Sequence, residues 1–274
     1  MARDKAAIVQ QAQSDAYDSQ GVIKLQLTTD VRELNQQFLS EMCSFLKRWG
    51  GASCTPESLA TDLVGISQRD RGLVGKLYKV SRRFPAAKRL ACHPYFVHLA
   101  EVMMKTDLVS CCNFVAIRID LPSESKYLLD VHQDFPFIQG SVNGVTVWMP
   151  FHDVELAMGV PAWIPGSHAR GVQKVKEYSL EEAGGSGGRS FDMVDQDRFK
   201  GQSFTREPVV KGEALLFHTL LVHRSEPNVS AKARITIQLR FDDVTNKESF
   251  TRNYPDGLYL NERLAKGYPE YVVK

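Results

Sequence analysis

Residues 233–241 read "ARITIQLRF", and the alternation in this run decides the fold. In an extended chain successive side chains point to opposite sides, so Ile235, Ile237, Leu239 and Phe241 share one face while Arg234, Thr236, Gln238 and Arg240 share the other. The first face demands a core. The second is poor core material and good lining for a polar cavity, so the segment reads as the wall of a barrel that binds a ligand.

Working outward, the same half of the chain holds "NFVAIRID", "KYLLDVHQD", "GVTVWMPFHDV", "GVPAWIPGSH" and "EALLFHTLLVH". These are short runs rich in Val, Ile, Phe and Trp, bounded by Gly, Pro, Asn and Ser, and they predict an all-β sandwich or barrel. Upstream the period changes. "TTDVRELNQQFLSEMCSFLKRWGG" opens on a Thr/Asp cap, places Val31, Leu34, Phe38 and Met42 at helical spacing and ends on glycines, as an amphipathic helix does. "TPESLATDLVGISQ", with Thr55 as N-cap and Pro56 in the first turn, "RGLVGKLYKVSRRF" and "YFVHLAEVMMK" continue that pattern. Residues 30–106 are therefore expected to be mainly helical, preceded by one strand in "GVIKLQL". The expected organisation is a single domain over 1–274: a mostly helical portion 1–109, a β core 110–243 and a C-terminal extension 244–274. Within the core, 176–211 contains the Gly- and Ser-rich "EEAGGSGGRSFDMVDQD" and reads as a long mobile loop at the barrel mouth.

Composition narrows the class of partner. Lys and Arg number 34 against 32 Asp and Glu, a net charge of +2, and no block of like charge occurs, which argues against nucleic acid or a membrane surface and for a small molecule. The N-terminus lacks the apolar core of a secretory signal, and no uncharged apolar run is long enough for a bilayer, so a cytoplasmic location is expected. The five cysteines (Cys43, Cys54, Cys92, Cys111, Cys112) contain no C-x-x-C pair, which favours reduced thiols over a disulfide framework or a structural zinc site. Nothing in the composition selects an oligomeric state.

The chemistry-bearing residues begin with "LLDVHQDFPF" at 129–138, where His132 and Asp134 would share a strand face. An imidazole nitrogen and a carboxylate oxygen so placed can bind one metal ion, and "FHTLLVHRSEPN" supplies a further histidine, His218 or His223, on opposite faces of a strand. Two histidines and one carboxylate binding one side of an ion, with the other positions open, is the pattern of non-haem Fe(II) oxygenases. A carboxylate co-substrate then needs a fixed cation, and Arg234 follows His223 by eleven residues; arginine's planar fork holds a carboxylate bidentately. Taken singly, H-x-D is better read as a hydrogen-bonded pair on a sheet, and the plainer reading of Arg234 is a surface ion pair.

In order along the chain, "HQD" at 132–134, "IPGSH" at 164–168, "GEALLFHTLLVHRSEPN" at 212–228 and Arg234 resemble the phytanoyl-CoA dioxygenase family of Fe(II)- and 2-oxoglutarate-dependent oxygenases, over about residues 110–243. The resemblance implies a double-stranded β-helix, the jelly-roll or cupin-like barrel, with helices outside it. It implies His132, Asp134 and His223 as the iron ligands and catalytic centre, and Arg234 as the partner of the distal carboxylate of 2-oxoglutarate. The chemistry implied is hydroxylation of a substrate C–H bond using O2, with release of succinate and CO2. Relatives that halogenate lack the carboxylate ligand, so Asp134 argues against that variant.

Thr146 and Trp148 share a strand face and are expected to line the co-substrate pocket, although Trp148 would serve equally well in packing. Arg170, Gln238 and Arg240 are candidates for holding a small polar metabolite or biosynthetic intermediate. "IPGSH" reads as a turn closing the cavity mouth, with His168 as a hydrogen-bonder. His93 and His98 read as ordinary helix residues, Cys111 and Cys112 as buried small hydrophobes, and Gln133 as pointing away from the metal. Two other readings use the same barrel: a cupin-like metal enzyme that dispenses with 2-oxoglutarate and hence with Arg234, and a non-catalytic small-molecule binder.

Overall fold

A computed structural model describes residues 11–124, 128–179, 190–257 and 263–273. Its first hundred residues hold α1 (Gln11–Gln20), β1 (Val22–Gln26), α2 (Thr29–Gly50), α3 (Leu59–Arg69), α4 (Arg71–Ser81), α5 (Pro85–Ala91) and α6 (Pro94–Met104). α2 buries Val31, Phe38, Leu39, Met42 and Leu46 and stops where Gly51 takes a left-handed φ of 61° and returns its N–H to the Leu46 carbonyl, a closure that glycine makes without a Cβ penalty. Asp70 caps α4 by accepting from the Leu73 N–H at 2.9 Å. His93 is not inside a helix: it precedes Pro94 and caps α6, its Nδ1 accepting from the Tyr95 N–H at 3.2 Å. α3 starts later than "TPES" suggests, because Thr55 and Ser58 bind each other in a turn ahead of it and Ser58 takes the cap position.

The strands are β2 (Val109–Cys111), β3 (Ala116–Asp120), β4 (Gly144–Pro150), β5 (Ala162–Trp163), β6 (Val175–Ser179), β7 (Ser190–Val194), β8 (Glu213–His218), β9 (His223–Arg224) and β10 (Arg234–Asp243), with a short helix α7 (Phe135–Ile138) ahead of β4. The main sheet runs β1-β8-β4-β10-β2, and β3 also pairs with β10. β10 is its spine. One edge of β10 pairs with β4 from Thr236 to Asp242, and the other is shared by β3 (Arg234 to Gln238) and β2 (Phe241 to Asp243). As the alternation predicts, Ile235, Ile237, Leu239 and Phe241 join Val145, Val147 and Met149 of β4 in one core with the helices. Phe38 stacks on Phe151 in that core at 4.6 Å; burying a side chain of this size contributes about 1.5–3 kcal/mol.

Against the polar face of this sheet lies a fragmentary second layer. It consists of β5 paired with β9 and the isolated bridges His132↔His223, Val154↔Val209 and Trp163↔Thr205. The expected barrel is therefore not closed among the described residues. Pro161, Pro165 and Pro208 interrupt this layer, and a residue without an N–H cannot extend a ladder.

The segment 176–211 differs from the expected single loop. β6 and β7 pair antiparallel from Val175↔Val194 to Ser179↔Ser190, and Val175 and Val194 are fully buried; the glycines between them masked the alternation in "VKEYS" and "SFDMV". Residues 180–189, where most of the glycines fall, lie outside the described residues. The C-terminal extension adds α8 (Lys247–Thr251) and α9 (Leu264–Gly267) and buries Tyr268 edge-on against Phe135 at 5.0 Å. Cys111 and Cys112 are only half-buried, since β2 is an edge strand. No helix among the described residues is long and apolar enough to cross a membrane.

Candidate metal centre

His132 and Asp134 do not lie on a regular strand. His132 exchanges both backbone hydrogen bonds with His223, at 2.8 and 2.9 Å, and Asp134 is the residue immediately before α7, its N–H donating to the Thr219 carbonyl at 3.0 Å. Pro136 enters that helix in its first turn, the position where proline's missing N–H costs nothing. The backbone bridge sets the two imidazole rings 4.1 Å apart between centroids. Gln133 does point away: its Nε2 donates to the Leu220 and Gly171 carbonyls and its Oε1 accepts from the Gln173 N–H, at 2.6, 3.0 and 2.8 Å.

The hydrogen bonds of the rings define which nitrogen is available. Nδ1 of His132 lies 2.7 Å from the Asp130 carbonyl and Nδ1 of His223 lies 2.9 Å from the Leu221 carbonyl. A carbonyl can only accept, so each Nδ1 carries the proton and each Nε2 presents its lone pair. Both Nε2 atoms face Oδ1 of Asp134, at 3.9 and 4.0 Å. Burial, helped by His223, pushes His132 down to about 3, and burial lowers His223 as well, so both rings are neutral near pH 7, the form a metal ion needs. Burial acts to raise Asp134, but Arg240 and the two imidazoles hold its carboxyl below the usual carboxylate range. Two neutral nitrogens and one anionic oxygen, buried together, fit a first-row divalent ion. No other group of three His, Cys, Asp or Glu converges in this way among the described residues.

The cavity beside these residues has walls from Trp148, Phe217, Gln238, Arg118, Arg224, Arg234 and Arg240. Arg234 is buried, with Nε and Nη2 on Oδ2 of Asp120 at 3.1 and 2.8 Å and Nη1 on the Met158 carbonyl at 3.3 Å. Arg118 binds the same carboxylate. Burial alone would raise Asp120, and the two guanidinium groups outweigh it, holding the group at about 2. Thr236, two residues along β10 from Arg234, is fully buried and its hydroxyl has no hydrogen-bond partner among the described residues. An orphan hydroxyl on the same strand face as a buried guanidinium fits a carboxylate ligand, which would supply the missing acceptor. Gly159 makes the approach possible: at φ 82° a Cβ there would stand 2.2 Å from the Glu226 carbonyl oxygen and 2.8 Å from Nη1 of Arg234.

The other sequence candidates fall in different places. Trp148 and Gln238 line the cavity. Thr146 sits on the Asp134 carboxylate, its Oγ1 donating to Oδ2 at 2.7 Å, and Arg240 binds the same oxygen at 3.2 Å. Arg170 is exposed on the 3-10 turn Ser167–Arg170 and is not part of the cavity wall. His218 is turned toward His168, their rings 5.2 Å apart, with its Nδ1 accepting from the Leu220 N–H; burial pushes it down to about 4. His168 reaches the Asp18 carbonyl from Nε2 at 3.2 Å, and Ser167 accepts from the Val222 N–H, so "IPGSH" braces the segment leading to His223. Sequence reading missed Arg118 and Asp120, although their i, i+2 spacing in "NFVAIRID" marks a polar strand face. It also missed the role of Thr236, and no local signal marked Gly159.

A buried two-histidine, one-carboxylate centre beside an arginine-lined cavity on this sheet arrangement defines the class of non-haem metal oxygenases. Residues 55–236 match the family described as phytanoyl-CoA dioxygenase (PhyH), and the chain belongs to that family. Among curated relatives, a phytanoyl-CoA dioxygenase domain-containing protein 1 homolog of Dictyostelium discoideum is 26% identical over 119 residues, covering 43% of this chain and 42% of that protein. A 1-deoxypentalenic acid 11-beta-hydroxylase of Streptomyces exfoliatus is 26% identical over 137 residues, covering 48% and 47%. Phytanoyl-CoA dioxygenase domain-containing protein 1 of Bos taurus is 33% identical over 106 residues, covering 38% and 35%. The chain thus spans less than half the length of each.

Solved structures share the fold across most of the chain. The epimerase SnoN, crystallised with Fe3+, alpha ketoglutarate and nogalamycin RO, superposes with a TM-score of 0.57 at 18% identity, covering 88% of this chain and 85% of its own. EctD from S. alaskensis, crystallised with 2-oxoglutarate and 5-hydroxyectoine, gives 0.57 at 16% identity, covering 87% and 77%.

Proposed function

We propose that this protein is an Fe(II)- and 2-oxoglutarate-dependent dioxygenase that hydroxylates a C–H bond of a small polar metabolite, releasing succinate and CO2. The observation that carries the reading is the convergence of two imidazole Nε2 atoms on one oxygen of Asp134 at the edge of a cavity whose wall holds the buried Arg234. His132, Asp134 and His223 would hold the iron, and Arg234 with Thr236 would hold the distal carboxylate of 2-oxoglutarate. Iron(II) with a chelated 2-oxo acid supplies the coupling of O2 reduction to decarboxylation and thereby the oxidant for the substrate. The chain's own contribution is to keep both imidazoles neutral, to hold the arginines in place through Asp120 and Asp134, and to surround the site with Trp148 and Phe217, which exclude water.

Printed names of relatives support the outcome unevenly: the Streptomyces protein is a hydroxylase, whereas SnoN is an epimerase. Because one core packs residues from Tyr17 to Phe241, we read 1–274 as one oxygenase domain acting as a unit. The test is anaerobic addition of Fe(II) and 2-oxoglutarate to metal-free protein. A weak visible charge-transfer band, absent in His132→Ala and weakened in Arg234→Ala, is the expected result. Metal binding without such a band would instead support the cupin-like enzyme that does not use 2-oxoglutarate.

A further inference from the structure

Arg240 is a residue the sequence assigns to the substrate, but its guanidinium is occupied elsewhere. It is 9% exposed at the side chain. Nε donates to Oδ2 of Asp134 at 3.2 Å, Nη2 lies 3.5 Å from Oδ1, and Nη2 also donates to Oε1 of Gln238 at 2.6 Å. Directly opposite on the ladder, Thr146 is the Cα partner of Arg240, and its hydroxyl donates to the same Oδ2 at 2.7 Å. Two donors therefore hold Oδ2 of Asp134, while Oδ1, which Nη2 of Arg240 reaches only at 3.5 Å, is the oxygen that faces both imidazole nitrogens.

We propose that Arg240, together with Thr146, is a positioning residue that makes Asp134 a one-oxygen metal ligand and so keeps open the coordination position a second carboxylate oxygen would take. This rests on the metal reading above. A free carboxylate binds metal ions through one oxygen or two. Here chelation would require Oδ2 to leave the Thr146 hydroxyl and Nε of Arg240, stranding a buried hydroxyl and a buried guanidinium N–H, and stranded buried donors are costly. Gln238 braces the guanidinium from the cavity side, which keeps it from following a ligand. If the ion is six-coordinate, two imidazoles and one oxygen would leave room for a chelating 2-oxo acid and for O2, whereas a chelating Asp134 would leave one position too few.

The experiment is proton relaxation of water by the Mn(II)-saturated protein without 2-oxoglutarate, which reports how many waters the ion holds, followed by titration with 2-oxoglutarate. Arg240→Met is expected to hold one water fewer than wild type and to bind 2-oxoglutarate about 10- to 100-fold more weakly, the usual size of effects from groups that orient ligands. Arg240→Lys, which keeps a donor for Oδ2, is expected to restore the water. Thr146→Val removes only the second donor, is expected to fall between, and carries the test if Arg240→Met does not fold. An unchanged water number in whichever of these two variants folds overturns the proposal, since any loss of 2-oxoglutarate affinity would then come from direct contact with the ligand. A folded wild type that binds no Mn(II) overturns the metal reading and this proposal with it.

Discussion

The main sheet has two buried faces with opposite chemistry on the same strands. On β4 all seven residues are buried, yet Val145, Val147 and Met149 meet the helices while Thr146 and Trp148 meet the cavity layer. β10 repeats the contrast, with carbon-only side chains on one side and Arg234, Thr236, Gln238 and Arg240 on the other. On β4, and at Arg234 and Thr236 of β10, depth of burial does not distinguish the two faces; only Gln238 and Arg240 are partly exposed. What does is pairing: the helix-side residues gain from leaving water, whereas the cavity-side charges are tolerable only because Asp120 and Asp134 accompany them. One face should therefore govern stability and the other ligand binding.

The strongest test of that division is His132→Ala, which should abolish succinate formation, a loss on the order of 10^3-fold or more for removal of a metal ligand, while the protein remains folded by circular dichroism. On the opposite face, Ile237→Ala should lower unfolding free energy in urea by about 2–5 kcal/mol and leave metal affinity of the folded protein unchanged; a folded Ile237→Ala protein that no longer binds metal would break the comparison. Arg234→Ala should weaken 2-oxoglutarate binding by about 10- to 100-fold, the worth of a charge-assisted hydrogen bond or two, as read by titration of the charge-transfer band. Thr236→Val should separate the faces most cleanly, weakening 2-oxoglutarate about 5- to 10-fold while leaving stability equal or higher by up to about 1 kcal/mol, because the unpartnered hydroxyl is replaced by an isosteric methyl.

A separate test of the cavity face is the pH dependence of the metal-free protein. His132 has a folded value of about 3 against 6.5 for the free side chain, so below pH 6.5 the unfolded chain takes up a proton that the folded one refuses. Stability from this group is thus full above 6.5 and declines as pH falls toward the folded value. The urea midpoint should begin to drop just below pH 6.5, and the drop should shrink in His132→Gln. A midpoint that rises on acidification would sink this account of the neutral imidazoles.

Much of this site was legible in the chain. The candidate ligands His132, Asp134 and His223 could be named through the family resemblance, because H-x-D alone reads first as a hydrogen-bonded pair, and the polar face of β10 could be named because strand alternation is local. Other features were not. "DVHQD" suggested a strand, but the bridge between His132 and His223 and the proline after Phe135 give an irregular turn into a helix. Thr146 and Arg240 were assigned to ligands because a side chain's type says what it can bind and not which partner is nearest. Arg170 shows the converse, a suitable residue carried to the surface by its turn.

By itself the sequence determined the helical and β halves and the faces of β10, since each depends on residue type and on periods of two or 3.6 residues. Only the tertiary structure decided how the buried charges are matched. Arg234 meets Asp120 across 114 residues of chain and Arg240 meets Asp134 across 106, contacts that exist only once β10 has paired with β3 and the turn before α7 has docked on the Thr219 carbonyl. The physical reason is that a buried ion pair is decided within a few ångströms by strand registry, and no local pattern in the chain encodes which distant carboxylate will arrive there.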